Sequence, residues 1–173
     1  MPGHGAVFLR RVAIDVFDAL DARAAAAYKP SSSTFCPALQ MTPKATVTYL
    51  ESNDMQKARA FSPAVVTEGG RTVWLAGQTT TTDLEGRDIA GQFEAQCHAC
   101  FALIDKTLQR LGGSLANLVT MTVFINDPRH GDAFVKIRSA KFEAGRYPAS
   151  ALLTVSNFAR PGIVIEIQGV AVL

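Results

Sequence analysis

The sequence has few charges and few cysteines, and it contains no long run of either charged or apolar residues. Charged residues make up 18% of the 173 residues, and the formal net charge at neutral pH is only +2. Without a run of lysine and arginine, the chain lacks the electrostatic surface that binds nucleic acid. No apolar run approaches the roughly 20 residues that cross a bilayer, so no membrane span is predicted. The 48% hydrophobic content is typical of a globular domain.

The cysteine content argues against a disulfide framework. Cys36, Cys97 and Cys100 cannot all pair within one chain, and three cysteines are too few for a disulfide scaffold. Arg11 is followed by Asp15 and further aspartates, where a secretory signal would keep an uninterrupted apolar segment. We therefore expect an uncleaved protein in the reducing cytoplasm.

The motif Cys97-His98-Ala99-Cys100 is the one segment with the residue types of a metal site. Its two cysteines share a helix face, but that face is apolar, and no second pair of ligands is evident. Both cysteines are interpreted as structural thiols. Gly112-Gly113 ends a helix, whereas a phosphate-binding loop opens one. We therefore expect no metal and no organic cofactor.

Residues 1–44 differ from the rest of the chain in their sequence pattern. Apolar residues recur there at helical spacing, at Phe8, Val12, Val16 and Leu20. Pro30 and the serines after it break the pattern. This N-terminal extension is either an amphipathic helix or a loosely held tail, and residues 45–173 form the main domain.

In the main domain, short segments rich in β-branched residues alternate with turn signals and predict strands. The predicted strands are residues 45–50, 64–67, 72–76, 118–125, 147–155 and 163–172. Two helices are predicted, one from Phe93 to Leu111 and a shorter one from Asp132 to Ala144. The apolar stripe of the first is made by Phe93, Cys97, Cys100, Ile104, Leu108 and Leu111.

This order of elements predicts an α+β fold with a mixed sheet. Two helices cannot cover both faces of such a sheet, so both should lie on one face and leave the other apolar. An uncovered apolar sheet face needs a partner. The pattern therefore predicts that the protein is an oligomer.

Glu166 is the strongest candidate for acid or base chemistry. It is a single carboxylate in the apolar run Ile163-Val164-Ile165-Glu166-Ile167. A buried carboxylate has to be paired, hydrogen-bonded or shifted in pKa. It either handles a proton in catalysis or pairs with Arg138 or Arg160 for structural reasons.

Several motifs occur in the order and spacing of a known family. They are Phe61-Ser62-Pro63-Ala64-Val65, Leu75-Ala76-Gly77-Gln78, a long helix begun by Gln92, Tyr147-Pro148-Ala149-Ser150 and a last strand with Glu166-Ile167. In these motifs the region 57–173 resembles the Rid family, the reactive intermediate deaminases also called the YjgF family. In one respect the chain departs from it: Ser150 stands where family deaminases have the arginine that holds the substrate carboxylate.

The resemblance implies a chorismate-mutase-like, YjgF-type fold and a homotrimer whose three sheets close into a barrel, with active sites between subunits. It also implies a cofactor-free enzyme that releases ammonia from an enamine, imine or hydroxylamino-substituted unsaturated or aromatic carboxylate. Such an enzyme is similar to 2-aminomuconate deaminase or hydroxylaminobenzoate lyase and serves aromatic catabolism. The alternative, a non-catalytic trimeric ligand-binding or chaperone-like protein, is favoured by the loss of the arginine.

The resemblance also assigns roles to individual residues. Glu166 is the expected acid or base, and Ser150 is a hydrogen-bond donor in the catalytic site. Arg138 stands about where the family has an asparagine that faces the neighbouring subunit's site. It is expected to hold the substrate carboxylate in place of the missing arginine. An exposed helix arginine without function is the alternative.

The remaining expected substrate contacts are Gln78, Thr79 and Phe61. Gln78 and Thr79 follow the third strand and offer hydrogen-bond donors, although the run Thr79–Thr82 is also typical of a turn. Phe61 stands where many relatives have tyrosine. It either stacks on the substrate or fills the core.

Overall fold

The computed structural model describes residues 44–173, and the predicted N-terminal extension, apart from Lys44, lies outside them. The elements are β1 (Thr46–Tyr49), α1 (Asp54–Ala58), β2 (Val65–Glu68), β3 (Thr72–Gln78), α2 (Phe93–Gln109), β4 (Leu118–Ile125), α3 (Gly131–Lys141), β5 (Ala149–Thr154) and β6 (Ile165–Val172). Short 3-10 turns precede β4 and α3. No helix of the described part is long and apolar enough to cross a membrane.

The main sheet has four strands in the order β3-β6-β4-β5, and β1 pairs with β2 in a separate two-stranded sheet. β6 is antiparallel to both of its neighbours, whereas β4 and β5 are parallel. The parallel pair needs a crossover, and α3 supplies it. Both long helices pack on one face of the sheet and form the core with it. The predicted α+β fold with a mixed sheet is confirmed.

The helix α2 buries the apolar stripe predicted for it, with one exception. The buried members are Phe93, Cys97, Cys100, Ile104 and Leu108. The predicted sixth member, Leu111, is 42% exposed. The helix ends at Gln109, and Gly112 turns the chain with a φ of +86°, so Leu111 leaves the helical face.

Two helix predictions need correction. The helix α1 was not predicted. It has only five residues and none of them is buried, so its sequence shows no apolar periodicity. It is held instead by a capping box between Asn53 and Gln56. The helix α3 ends at Lys141 and not at Ala144, because Phe142 adopts extended backbone and packs edge-on against Phe101.

The sheet face opposite the helices carries exposed side chains and is named the open face. On it, Trp74 of β3 is 81% exposed and pairs with Val170 of β6. A shallow cavity of about 200 Å³ lies beside Trp74. The open face is less apolar than predicted, because its strands also contribute Thr120, Thr122 and Gln168.

Candidate active site

Glu166 lies near the start of β6, on the open face. The residues before and after it, Ile165 and Ile167, point into the core and are fully buried, so alternation places Glu166 on the opposite side. Its neighbour on β4 is Phe124. The Glu166 side chain is half-buried. Within residues 44–173 it forms no ion pair, so the alternative of a structural pairing with Arg138 or Arg160 is not found.

Gly77 provides the space that the Glu166 side chain occupies. A Cβ atom at Gly77 would lie 2.0 Å from the carboxylate oxygen Oε1 of Glu166. The pairing of β3 with β6 is irregular at this point, with a register shift between Leu75 and Gln78. Gln78 folds back, and its Nε2 donates to the carbonyl of Ala76 at 3.2 Å. The Glu166 carboxylate therefore lies over the backbone of the edge strand β3.

Thr79 ties the same edge to the strand that carries the glutamate. Its hydroxyl donates to the carbonyl of Ile165 at 2.8 Å, so its proton is already engaged and its oxygen remains as an acceptor. Thr80 and Thr82 form a local turn, in which the Thr80 hydroxyl bonds the backbone of Thr82. We name the set Glu166, Gly77, Gln78 and Thr79 the glutamate cluster.

Arg138 is a buried cation on α3. It is 3% exposed, so the alternative of an exposed helix arginine is wrong. Its Nη1 donates to the hydroxyl of Ser150 at 2.7 Å, and its Nη2 donates to the backbone carbonyl of Arg59. The guanidinium lies over the ring of Phe134, 4.9 Å from the centroid. Its Nε is buried and has no hydrogen-bond partner among residues 44–173.

No carboxylate of the described residues pairs with Arg138. Burial lowers the pKa of its guanidinium to about 10, and the nearby charge of Arg59 contributes to this decrease. The side chain of Arg59 pairs instead with Asp132 at 2.6 Å, where Asp132 is exposed and Arg59 is partly buried. A buried guanidinium without a counter-ion, and with N–H groups unused, has the capacity to bind an anion.

Phe61 lies in a segment that packs against the start of β5. Ser62 bridges to Ala149, and its N–H donates to the carbonyl of Pro148 at 3.4 Å. Ala60 is buried and has a φ of +54°, the only positive φ of a non-glycine residue in the described part. Phe61 itself is half-buried. Together with Arg59, Arg138 and Ser150 it forms a set that we name the arginine cluster.

Ser150 and Glu166 lie on opposite faces of the sheet. Ser150 is the register neighbour of Met121, whose side chain is in the core, and it bonds the helix α3. Glu166 is on the open face. The structure therefore brings Ser150 together with Arg138, and Glu166 together with Gly77, but it does not bring Ser150 together with Glu166 in one chain. Sequence reasoning also missed Arg59 and Gly77 as members of these clusters.

The two cysteines of α2 are fully buried and free. Burial raises the pKa of both thiols, that of Cys100 to about 12, so neither is a thiolate at neutral pH. In residues 44–173 there is no cluster of three or more histidine, cysteine, aspartate or glutamate side chains that would hold a metal ion. The cysteines therefore pack as apolar residues in the core.

The family model described as Endoribonuclease L-PSP matches residues 51–173. No curated protein matches the chain closely enough to count as a relative. Among solved structures, the Rid family protein YyfB from Yersinia pestis is 26% identical, with a TM-score of 0.64, and the match covers 75% of this chain and 98% of YyfB. RidA from an Antarctic Psychrobacter is 28% identical, with a TM-score of 0.54, and the match covers 65% of this chain and 88% of RidA.

Rv2704 from Mycobacterium tuberculosis, a member of the YjgF/YER057c/UK114 family, shares the fold at 23% identity. The match covers 74% of this chain and 100% of Rv2704, with a TM-score of 0.52. The family model spans the whole region in which the motifs around Phe61, Gln78 and Glu166 were recognised. With its YjgF-type fold, the chain therefore belongs to the Rid family.

Proposed function

We propose that the protein is a cofactor-independent deaminase or lyase that releases ammonia from an unsaturated or aromatic carboxylate. The nitrogen of the substrate is an enamine, an imine or a hydroxylamino group, as in 2-aminomuconate or hydroxylaminobenzoate. The observation that carries the proposal is the Glu166 carboxylate. It is half-buried, unpaired within residues 44–173, and lies over the backbone at Gly77.

For an imine substrate, Glu166 acts first as a base and then as an acid. The imine nitrogen takes up a proton from solvent, and Glu166 removes a proton from water while the water oxygen attacks the carbon of the C=N bond. Glu166 then gives its proton to the nitrogen of the resulting carbinolamine. The C–N bond breaks, the carbonyl forms as the hydroxyl proton returns to solvent, and water and imine thus give a carbonyl compound and ammonia.

The division between the two clusters supports a site shared by neighbouring copies. In one chain the sheet separates Glu166 from Ser150 and Arg138. A second copy that places its arginine cluster against the glutamate cluster of the first would complete a site with an acid, an anion-binding cation and a flat wall at Phe61. The proposed assembly is the homotrimer of the family.

A second candidate is a non-catalytic protein that binds a ligand with the same fold. The burial of Arg138 favours it, because two of its nitrogens already bond Ser150 and the carbonyl of Arg59. A substrate carboxylate would have to reach the N–H groups that these contacts leave unused, on a side chain that is only 3% exposed. Ribonuclease activity, which the description of the family model names, is not proposed, because the net charge is only +2 and the sequence has no lysine or arginine run.

Ammonia release from aminomuconate, hydroxylaminobenzoate and iminopropionate separates the two candidates. Glu166→Gln keeps the size of the side chain but removes the ionisable group. We expect its turnover to fall by roughly 10²- to 10⁴-fold with the assembly intact. Glu94→Gln, an exposed position on α2, is the matched control and should keep full activity. Equal ammonia release by both variants would contradict the role of Glu166, and no release from any substrate by the parent would favour the binding protein.

A further inference from the structure

Gln96 is a fully buried polar side chain that the proposed mechanism does not use. It lies in the first turn of α2 and is 0% exposed. Its Nε2 donates to the carbonyl of Ile89 at 3.0 Å and to the carbonyl of Gly162 at 2.6 Å. Its Oε1 accepts from the N–H of Val164 at 3.0 Å. Both amide hydrogens and the amide oxygen are therefore engaged with backbone.

The three backbone groups belong to two segments that are distant in sequence. Ile89 lies in residues 79–92, which link β3 to α2, whereas Gly162 and Val164 precede β6. The two segments also contact each other directly, since the N–H of Gly91 donates to the carbonyl of Gly162 at 2.8 Å. A Cβ atom at Gly162 would lie 3.0 Å from the Cβ of Ala90. The amide of Gln96 is thus the junction between them.

Both segments lead directly into the glutamate cluster. Val164 is two residues before Glu166, and its N–H is the group that Gln96 holds. The first segment begins at Thr79, whose hydroxyl bonds the carbonyl of Ile165. The backbone just before Glu166 is therefore fixed from two sides, by an amide and by a hydroxyl.

We propose that Gln96 is a positioning residue that holds the Glu166 carboxylate over Gly77 by fixing the two segments beside it. The catalytic part of this inference rests on the proposed function. Gln96 never touches the substrate. It acts through the N–H of Val164 and the carbonyl of Gly162. Removal of the Gln96 amide allows the start of β6 to move away from β3.

The test compares Gln96→Met, which keeps the volume but removes all three hydrogen bonds, with Asn117→Leu. Asn117 is the matched control, because its side chain bonds the backbone of Val172 and of Ser114 and so ties the opposite end of β6. Hydrogen exchange measured by mass spectrometry should show faster exchange in both residues 79–92 and residues 160–168 of Gln96→Met. In Asn117→Leu the increase should be confined to residues 111–120 and the end of β6.

The kinetic readout uses a substrate that the parent turns over. In Gln96→Met kcat should fall at least tenfold with KM within about threefold, since a displacement near 1 Å costs roughly 10²-fold. Asn117→Leu should keep kcat within about twofold, even at equal loss of stability. Faster exchange with unchanged kcat, or faster exchange in only one segment, would overturn the inference.

A replacement variant and the exchange data keep the test decisive if Gln96→Met does not fold or if the parent is inactive. If Gln96→Met does not fold, Gln96→Glu replaces it in both measurements, because it keeps the shape and the acceptor for Val164 but repels the two carbonyls. If the parent releases no ammonia from any substrate, the proposed function fails, whereas the exchange data still decide whether Gln96 fixes both segments.

Discussion

The Nη1 of Arg138 lies 2.7 Å from the hydroxyl of Ser150, so an arginine of α3 contacts the first polar residue of β5. The cation comes from α3 and not from β5. Both residues are on the helix side of the sheet, and the guanidinium has no carboxylate partner in the described part of the chain. A positive charge from α3 is therefore held beside Ser150.

This contact predicts that Ser150→Arg and Arg138→Asn are strongly coupled. Ser150→Arg alone places a second guanidinium against a buried one without a counter-ion, and we expect it to lower the free energy of unfolding by about 2 kcal/mol or more. The double variant has one guanidinium again and should recover most of that loss. Urea denaturation of the parent, both single variants and the double variant gives the coupling free energy.

Additive effects of the two substitutions would contradict the direct contact. The double variant also carries a functional expectation. If the protein releases ammonia, the arginine at position 150 should shift its preference toward small 2-imino acids, because a guanidinium binds a carboxylate through two parallel hydrogen bonds. The measurement is the ratio of kcat/KM for iminopropionate and hydroxylaminobenzoate.

Gly77→Ala should impair the site while leaving the fold intact. The added Cβ would lie 2.0 Å from Oε1 of Glu166, so the flexible carboxylate has to move. Since a misplacement of about 1 Å can cost roughly 10²-fold, kcat should fall by that order with little change in thermal stability. Gly131→Ala is the matched control, because its Cβ would meet no atom closer than 3.8 Å. If the two variants had equal activity, the close approach of Gly77 and Glu166 would have no catalytic meaning.

The buried thiols predict a loss of stability at alkaline pH. The pKa of Cys100 is raised from 9.0 to about 12, and that of Cys97 is also raised, because burial disfavours both thiolates. Above pH 9 the unfolded state loses these protons and the folded state keeps them. The free energy of unfolding should therefore fall as pH rises, by at most about 1.4 kcal/mol per pH unit for each thiol.

Urea denaturation between pH 7 and pH 10 checks this expectation. The double variant Cys97→Ala/Cys100→Ala should be less stable than the parent at pH 7 but should lose less stability as pH increases. The measurements stop at pH 10, because the pKa of Arg138 is about 10 in the folded protein. Loss of that proton from the folded state would increase the free energy of unfolding with pH, which opposes the effect of the thiols. A parent and a variant with parallel pH profiles would contradict the prediction.

Trp74 is expected to lie in the interface between copies. It is 81% exposed on the open face, and a charge placed there should prevent burial against a second copy. Sedimentation velocity of Trp74→Glu should show a smaller species than the parent at the same micromolar concentration. Leu84→Glu, at an apolar residue 48% exposed outside the strands, should sediment as the parent does. Identical sedimentation of parent and Trp74→Glu would remove the open face from the proposed assembly.

Local patterns predicted most of the secondary structure. The strand β4 begins and ends at the predicted residues, 118 and 125, because alternation of buried side chains is visible in the sequence itself. The apolar stripe of α2 was also predicted from a local pattern. Only the prediction for Leu111, which lies beyond the helix end, was wrong. The helix α1 escaped prediction because capping by Asn53, and not burial, defines it.

The sequence alone determined the family, the two long helices, and the presence of a carboxylate at position 166 and a serine at position 150. Only the tertiary structure decided that Glu166 and Ser150 face opposite sides of the sheet, and that Arg138 is buried against a carbonyl 79 residues away. The physical reason is the range of the interactions. Periodicity and capping act over a few residues, whereas register and close approach depend on how distant strands pair, which no local pattern encodes.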